Sequence, residues 1–176
     1  MIKISKSKTA AISAILSTAA ILLGYVEFMI PIVPPIAGIK LGLGNIVVLL
    51  AIRLFKNKRV PFCIMLTKVL VCALLFAGFS GLPYSLAGGV SSFAVMLLLC
   101  RCERLSAAGV SAAGGAVHMA VQLVVAATIT STVSVMLIFP VLIAVGTVTG
   151  FINGIIVNLT EQQIEKYLLK IENPTN

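Results

Sequence analysis

Six side chains sit inside apolar stretches, where an ionisable or amide group is expensive and usually faces a cavity or a partner: Glu27, Lys40, Asn45, Lys68, His118 and Gln122. Glu27 lies near the end of the first stretch and reads either as a binding or pairing group or as a carboxylate reaching interfacial water. Lys40 opens the second stretch, where it either snorkels to the interface or contributes to binding. Asn45 is more than one turn deeper, so its amide must find hydrogen bonds, as glue between helices or as a ligand contact. Lys68 falls near the middle of the third stretch, a depth that suits an internal partner or an anionic ligand unless its stem snorkels. His118 and Gln122 are spaced i, i+4 and share one face of the fifth stretch, where they read either as structural or as a binding pair. Asn153, among glycines, reads as packing.

Such residues can bind, but the sequence offers little with which to catalyse. It contains no aspartate, and of its five acidic residues only Glu27 lies within an apolar stretch. Metal-phosphate chemistry therefore lacks its ligands. There is no Walker A sequence, HExxH or GxSxG, and the one histidine cannot form a histidine metal cluster. Cys100 and Cys102 make an isolated CxC without a second ligand pair, so no metal site and no cofactor are expected. All four cysteines lie in apolar runs or beside a basic loop and are expected to be reduced. The expected role is thus non-enzymatic, and pumping would need separate ATPases, since no nucleotide site is present.

The elements that must position these groups are membrane spans. Only 10% of the residues are charged and 60% are hydrophobic, with a mean hydropathy of +1.15, whereas an ordinary soluble domain is about a quarter charged. A span needs about 20 residues. The sequence predicts an all-α membrane bundle of six, at about 9–30, 39–55, 60–78, 84–99, 105–129 and 133–159, in a single domain covering 1–176. Pro31, Pro34 and Pro35 end the first span, Ser80, Gly81, Leu82 and Pro83 make a tight turn before the fourth, and Pro140 kinks the sixth or marks a short outer segment. Thr160 with Gln163 reads as a capping box that starts a separate amphipathic helix at 160–171, lying on the inner leaflet or solvated.

The net charge of +8 does not point to nucleic acid, because the cations fall in the connections. Lys3, Lys6, Lys8, Arg53, Lys56, Lys58, Arg59, Arg101, Arg104, Lys166 and Lys170 all land on one side of the six-span arrangement. Cytoplasmic loops hold the Lys/Arg excess, so both ends are expected in the cytoplasm, with the protein in the plasma membrane.

Helices gain little in lipid from burying apolar side chains, so small residues mark where backbones approach. Gly146, Gly150 and Gly154 form a double GxxxG on the sixth span, and Ala107 through Ala116 is rich in Gly, Ala and Ser on the fifth. Both read as packing within the bundle. On the first span Ala10, Ala14, Ser17, Ala20 and Gly24 make a small stripe whose cytoplasmic part, Ala10 and Ala14, can receive another protein's helix. Glu27, Lys40, Asn45 and the proline-rich loop 30–38 are expected to gather in the outer half above Lys68 and His118, giving a pocket that opens outward with the loop as its lid.

The segment Pro35, Ile36, Ala37, Gly38, Ile39, Lys40, Leu41, Gly42, Leu43, Gly44, Asn45, Ile46, Val47 resembles the signature (PGIKLGLAN-like) of the Gx transporter, or heptaprenyl diphosphate synthase component I, family. It departs from that signature at Ala37, where proline is common, and at Gly44, where alanine is common. The family is similar to the substrate-binding S components of energy-coupling factor transporters. That likeness implies six helices, an outer pocket under the first loop, and docking of a transmembrane coupling subunit, with its ATPases, at small AxxxA positions, here Ala10 and Ala14. It implies a small vitamin-like or isoprenoid-related substrate. Proteins resembling this family also occur in flavin-based extracellular electron transfer, so a membrane subunit of a redox assembly remains the alternative, beside a non-catalytic accessory of prenyl diphosphate synthesis. Catalytic prenyl diphosphate synthases use aspartate-rich motifs, which this chain does not have.

Overall fold

The computed structural model describes residues 6–29, 42–102 and 104–172. These residues are mostly helical, with no strand among them: α1 (Lys6–Met29), α2 (Asn45–Leu54), α3 (Arg59–Cys72), α4 (Gly78–Leu99), α5 (Ala107–Thr130) and α6 (Phe139–Glu172). A π-helical segment, Ala73–Ala77, extends α3, and a 3₁₀ segment, Val133–Ile138, precedes α6. Five helices are long and apolar enough to cross a membrane; α2, with 10 residues, spans only ~15 Å at 1.5 Å per residue. The second span expected at 39–55 therefore appears, among the described residues, as this short helix alone. The chain is a multi-pass helical membrane protein.

Local chemistry explains most of the helix ends. The Ser106 hydroxyl accepts from the Gly109 N–H (3.2 Å) and caps α5, which closes on Ser131 in the left-handed region (φ 51°). Lys58 Nζ donates to the carbonyls of Ile52 (2.5 Å) and Phe55 (2.9 Å), placing a cation on the C-terminal end of α2. Pro61 and Pro140 occupy the first turns of α3 and α6, where a missing N–H costs nothing. The outer piece expected before Pro140 is the 3₁₀ segment.

Two boundaries differ from the sequence reading. The reversal between α3 and α4 occurs at Gly78 (φ 68°, ψ 175°), not at Ser80 to Pro83, and Pro83 lies inside α4. A Cβ at Gly78 would meet nothing within 4 Å, so the backbone conformation alone selects glycine. The separate helix expected at 160–171 is instead the unbroken continuation of α6. Thr160 does not cap; its hydroxyl donates to the Ile156 carbonyl (2.8 Å). Thr128, Thr130, Thr147 and Thr149 do the same with the carbonyl four residues back, which satisfies hydroxyls that hydrocarbon cannot.

The helices alternate in direction. Arg53, at the end of α2, makes an ion pair with Glu161 in the C-terminal half of α6 (2.6 Å), and Cys100, just past α4, lies in the field of Arg53, Lys58 and Glu161. The ends of α2 and α4 thus meet the C-terminal half of α6 at one cationic edge. Ser13 and Ala14 of α1 adjoin Arg59 and Val60 at the start of α3, while Tyr25 and Phe28 stack against Phe76 at the far end (5.0 and 6.0 Å between ring centres). Hence α1 and α3 run in the same direction, and the chain returns between them.

α2 is buried on nearly every side, as its all-round apolar sequence requires, and packs against Met65, Val69, Met96 and Val110. The α5–α6 seam is the closest in the molecule. A Cβ on Gly115 would collide with the Gly146 carbonyl, one on Gly150 with the Ser111 carbonyl and one on Gly154 with Ala108, so these glycines let the two backbones touch. α1 is the outlier. It buries Ala20, Gly24 and Glu27 but turns Ile15 and Leu22 outward, 69% and 59% exposed, a surface suited to lipid.

Candidate functional site

The turn that begins α2 collects contacts from most of the bundle. Gly42 adopts φ 81°, a conformation costly for any residue with a Cβ. Its N–H donates to Glu27 Oε1 from α1, and its carbonyl accepts from the Asn45 N–H (2.9 Å) and from Asn153 Nδ2 of α6 (3.3 Å). Two residues on, Gly44 leaves room for Lys68 of α3: a Cβ there would stand 2.7 Å from Nζ and 3.1 Å from Cδ. His118 of α5 lies against Gly42 and, with Gln122, against Gly88 of α4. The glycines of the segment 42–44 are therefore the space beside which the Lys68 amine, the Asn45 amide and the His118 imidazole are folded.

Beside this turn is a cavity of about 10 Å³, room for roughly one water. Glu27, Lys68, Ser85, His118 and Gln122 supply its polar lining, with Cys72 on the apolar side. Glu27 is 4% exposed and Lys68 8%, in the interior of a hydrocarbon-embedded bundle. Glu27 Oε2 and Ser85 Oγ have no hydrogen-bond partner among the described residues, and Lys68 makes no ion pair there. Unsatisfied buried groups cost ~1–3 kcal/mol each, so the cavity holds polarity in excess of what packing needs.

Of the six residues singled out in the sequence, four therefore line one cavity: Glu27, Lys68, His118 and Gln122. Asn45 does not line it; its side chain donates to Ser92 Oγ across α2 and α4 (3.4 Å), a bond between helices. Lys40 and the proline loop 30–38 lie outside the described residues. Ser85 was missed. Its signal was the spacing Ser85, Gly88, Ser92, a small and polar face of α4.

A family model described as heptaprenyl diphosphate synthase component I matches residues 16–160. The chain belongs to this family. No curated protein and no solved structure matches it. The match to the synthase component family spans every residue of the cavity and the α5–α6 seam, but begins after Ala10 and Ala14.

Those two alanines are exposed on α1, whereas Ala20 and Gly24 of the same stripe are buried against the bundle. Ala14 also edges an open groove of about 330 Å³ between α1 and α3, with Ser13, Ser17, Arg59, Cys63 and Thr67. The stripe thus changes role along its length, from internal packing to an open face near the cationic edge.

Proposed function

We propose that this protein is the substrate-binding membrane subunit of an energy-coupling factor type transporter, and that it captures a small molecule between α1, α3, α4 and α5. The observation that carries the reading is the cluster of buried Glu27, Lys68 and Ser85 around an internal cavity. Charged groups at such depth are retained for a ligand or ion pathway. Binding, not catalysis, is the role that this lining suits. The cavity is close to collapsed, and α1, the helix with the fewest buried residues, is the wall that moves to admit a ligand. The parallel directions of α1 and α3 support a sixth crossing between them that contains α2, and the single cationic edge supports cytoplasmic placement of both ends, in the plasma membrane.

Energy comes from a transmembrane coupling subunit and its ATPases, which dock on the open alanine face of α1. Purification of the protein with its partners tests this. Replacing Ala10 and Ala14 with tryptophan is expected to remove the coupling subunit from the purified complex while any small molecule retained by the chain stays bound. Survival of the complex in the doubly substituted protein would refute the docking face.

A further inference from the structure

The class of ligand can be narrowed from the charges of the wall, taking the cavity as a binding site in the sense just proposed. With the histidine neutral, the described lining carries one full negative charge, Glu27, and one full positive charge, Lys68, each more than nine-tenths buried. Glu27 uses Oε1 to accept from the Gly42 N–H, and its second oxygen, Oε2, is buried without a hydrogen-bond partner. Ser85 Oγ, on the facing helix, is in the same condition. A carboxylate accepts only, so what completes Glu27 must donate. Lys68 donates only, so what completes it must accept.

We propose that the cavity takes a polar head with no net negative charge, one that donates to Glu27 Oε2 and accepts from Lys68, as an amide or zwitterionic group does, and that it rejects phosphate and diphosphate heads. Phosphate sites gather several groups from among forked arginines, lysines, helix N-termini and bound magnesium, and of these the described lining offers Lys68 alone. Arginine is absent from this lining. The anion position at the start of α2 is taken by the protein's own carboxylate, held by Gly42. A phosphate drawn to Lys68 would confront Glu27 Oε2 as a like charge in a medium that screens poorly. The inference separates two substrate classes that the family name leaves together: prenyl diphosphates are excluded, and neutral or zwitterionic molecules are retained.

The test uses the full chain in lipid nanodiscs, as wild type and as Glu27→Gln and Lys68→Met, each with its melting curve as a folding control. Farnesyl diphosphate and inorganic pyrophosphate are titrated, and the small molecule retained through purification is identified and quantified by mass spectrometry. Neither phosphate probe is expected to bind saturably to any of the three proteins. The retained molecule is expected to lack phosphate and to fall at least about tenfold in Glu27→Gln, the loss of one charge-assisted hydrogen bond. Saturable binding of farnesyl diphosphate that tightens in Glu27→Gln and weakens in Lys68→Met would overturn the ligand class while leaving the binding role intact. No retained molecule and no probe binding would overturn the binding role itself, and the inference with it.

Discussion

Two glycines of α5, six residues apart, should respond to the same substitution with opposite sign. A Cβ added at Gly109 would find its nearest neighbours at 3.7 and 4.0 Å, which is ordinary contact. Gly109→Ala should therefore stabilise the protein by the helix-propensity difference alone, about 0.5–1 kcal/mol. At Gly115 the added carbon collides with the Gly146 carbonyl oxygen and stands 3.1 Å from both the carbonyl carbon of Gly146 and Cα of Gly150. These are backbone atoms that cannot rotate away, so α5 and α6 must part. Overpacking of this kind costs about 1–3 kcal/mol. The propensity gain is common to both substitutions and cancels between them, leaving Gly115→Ala about 1–3 kcal/mol less stable than Gly109→Ala. Equilibrium unfolding by denaturing detergent, read by far-ultraviolet circular dichroism, measures both. Equal stabilities would refute the claim that backbone contact at this seam holds the bundle.

Asn153→Ala removes one of two hydrogen bonds to the Gly42 carbonyl and leaves the Asn45 N–H in place, so unfolding should show a loss of only about 0.5–1.5 kcal/mol. Burial pushes the Cys100 thiol above its ordinary range, with Glu161 adding to the rise and Arg53 and Lys58 partly opposing it. Since the thiolate is the reactive form, maleimide labelling at neutral pH should modify exposed Cys102 first. Cys100 labelling should keep accelerating as pH rises past the ordinary thiol range, and peptide mapping over a pH series follows it.

The long apolar elements were legible because hydrocarbon imposes one demand, about 20 apolar residues per crossing, and α1, α3, α4, α5 and α6 meet it openly. The glycines at 146, 150 and 154 were legible for a related reason, since small residues at a four-residue spacing have little purpose on a lipid face. The α3–α4 reversal was not. Ser80, Gly81 and Pro83 carry the usual turn chemistry, yet a positive φ at Gly78 after a π-helical stretch makes the turn earlier, and the prolyl residue is absorbed near the start of α4. Thr160 misled in the same way. A hydroxyl that caps a helix in water finds the carbonyl four residues back when the helix simply continues. Within the site, the charged and aromatic members stood out by their cost in lipid, whereas Ser85 is too common a residue to stand out by type. The role of Gly42 as the meeting point of α1, α2 and α6 depends on tertiary contacts that no local pattern encodes.

The helix that supplies Glu27 buries only Ala20, Gly24 and Glu27 among its described residues and leaves apolar side chains such as Ile15 and Leu22 open to acyl chains. One wall of the chamber is therefore a boundary with the bilayer, and the energy of shifting that wall includes rearranging the lipids packed behind it. Under the proposed binding role, bilayer thickness and lateral pressure then enter the affinity directly: a change in lipid composition alters how readily the chamber opens without altering any residue within it.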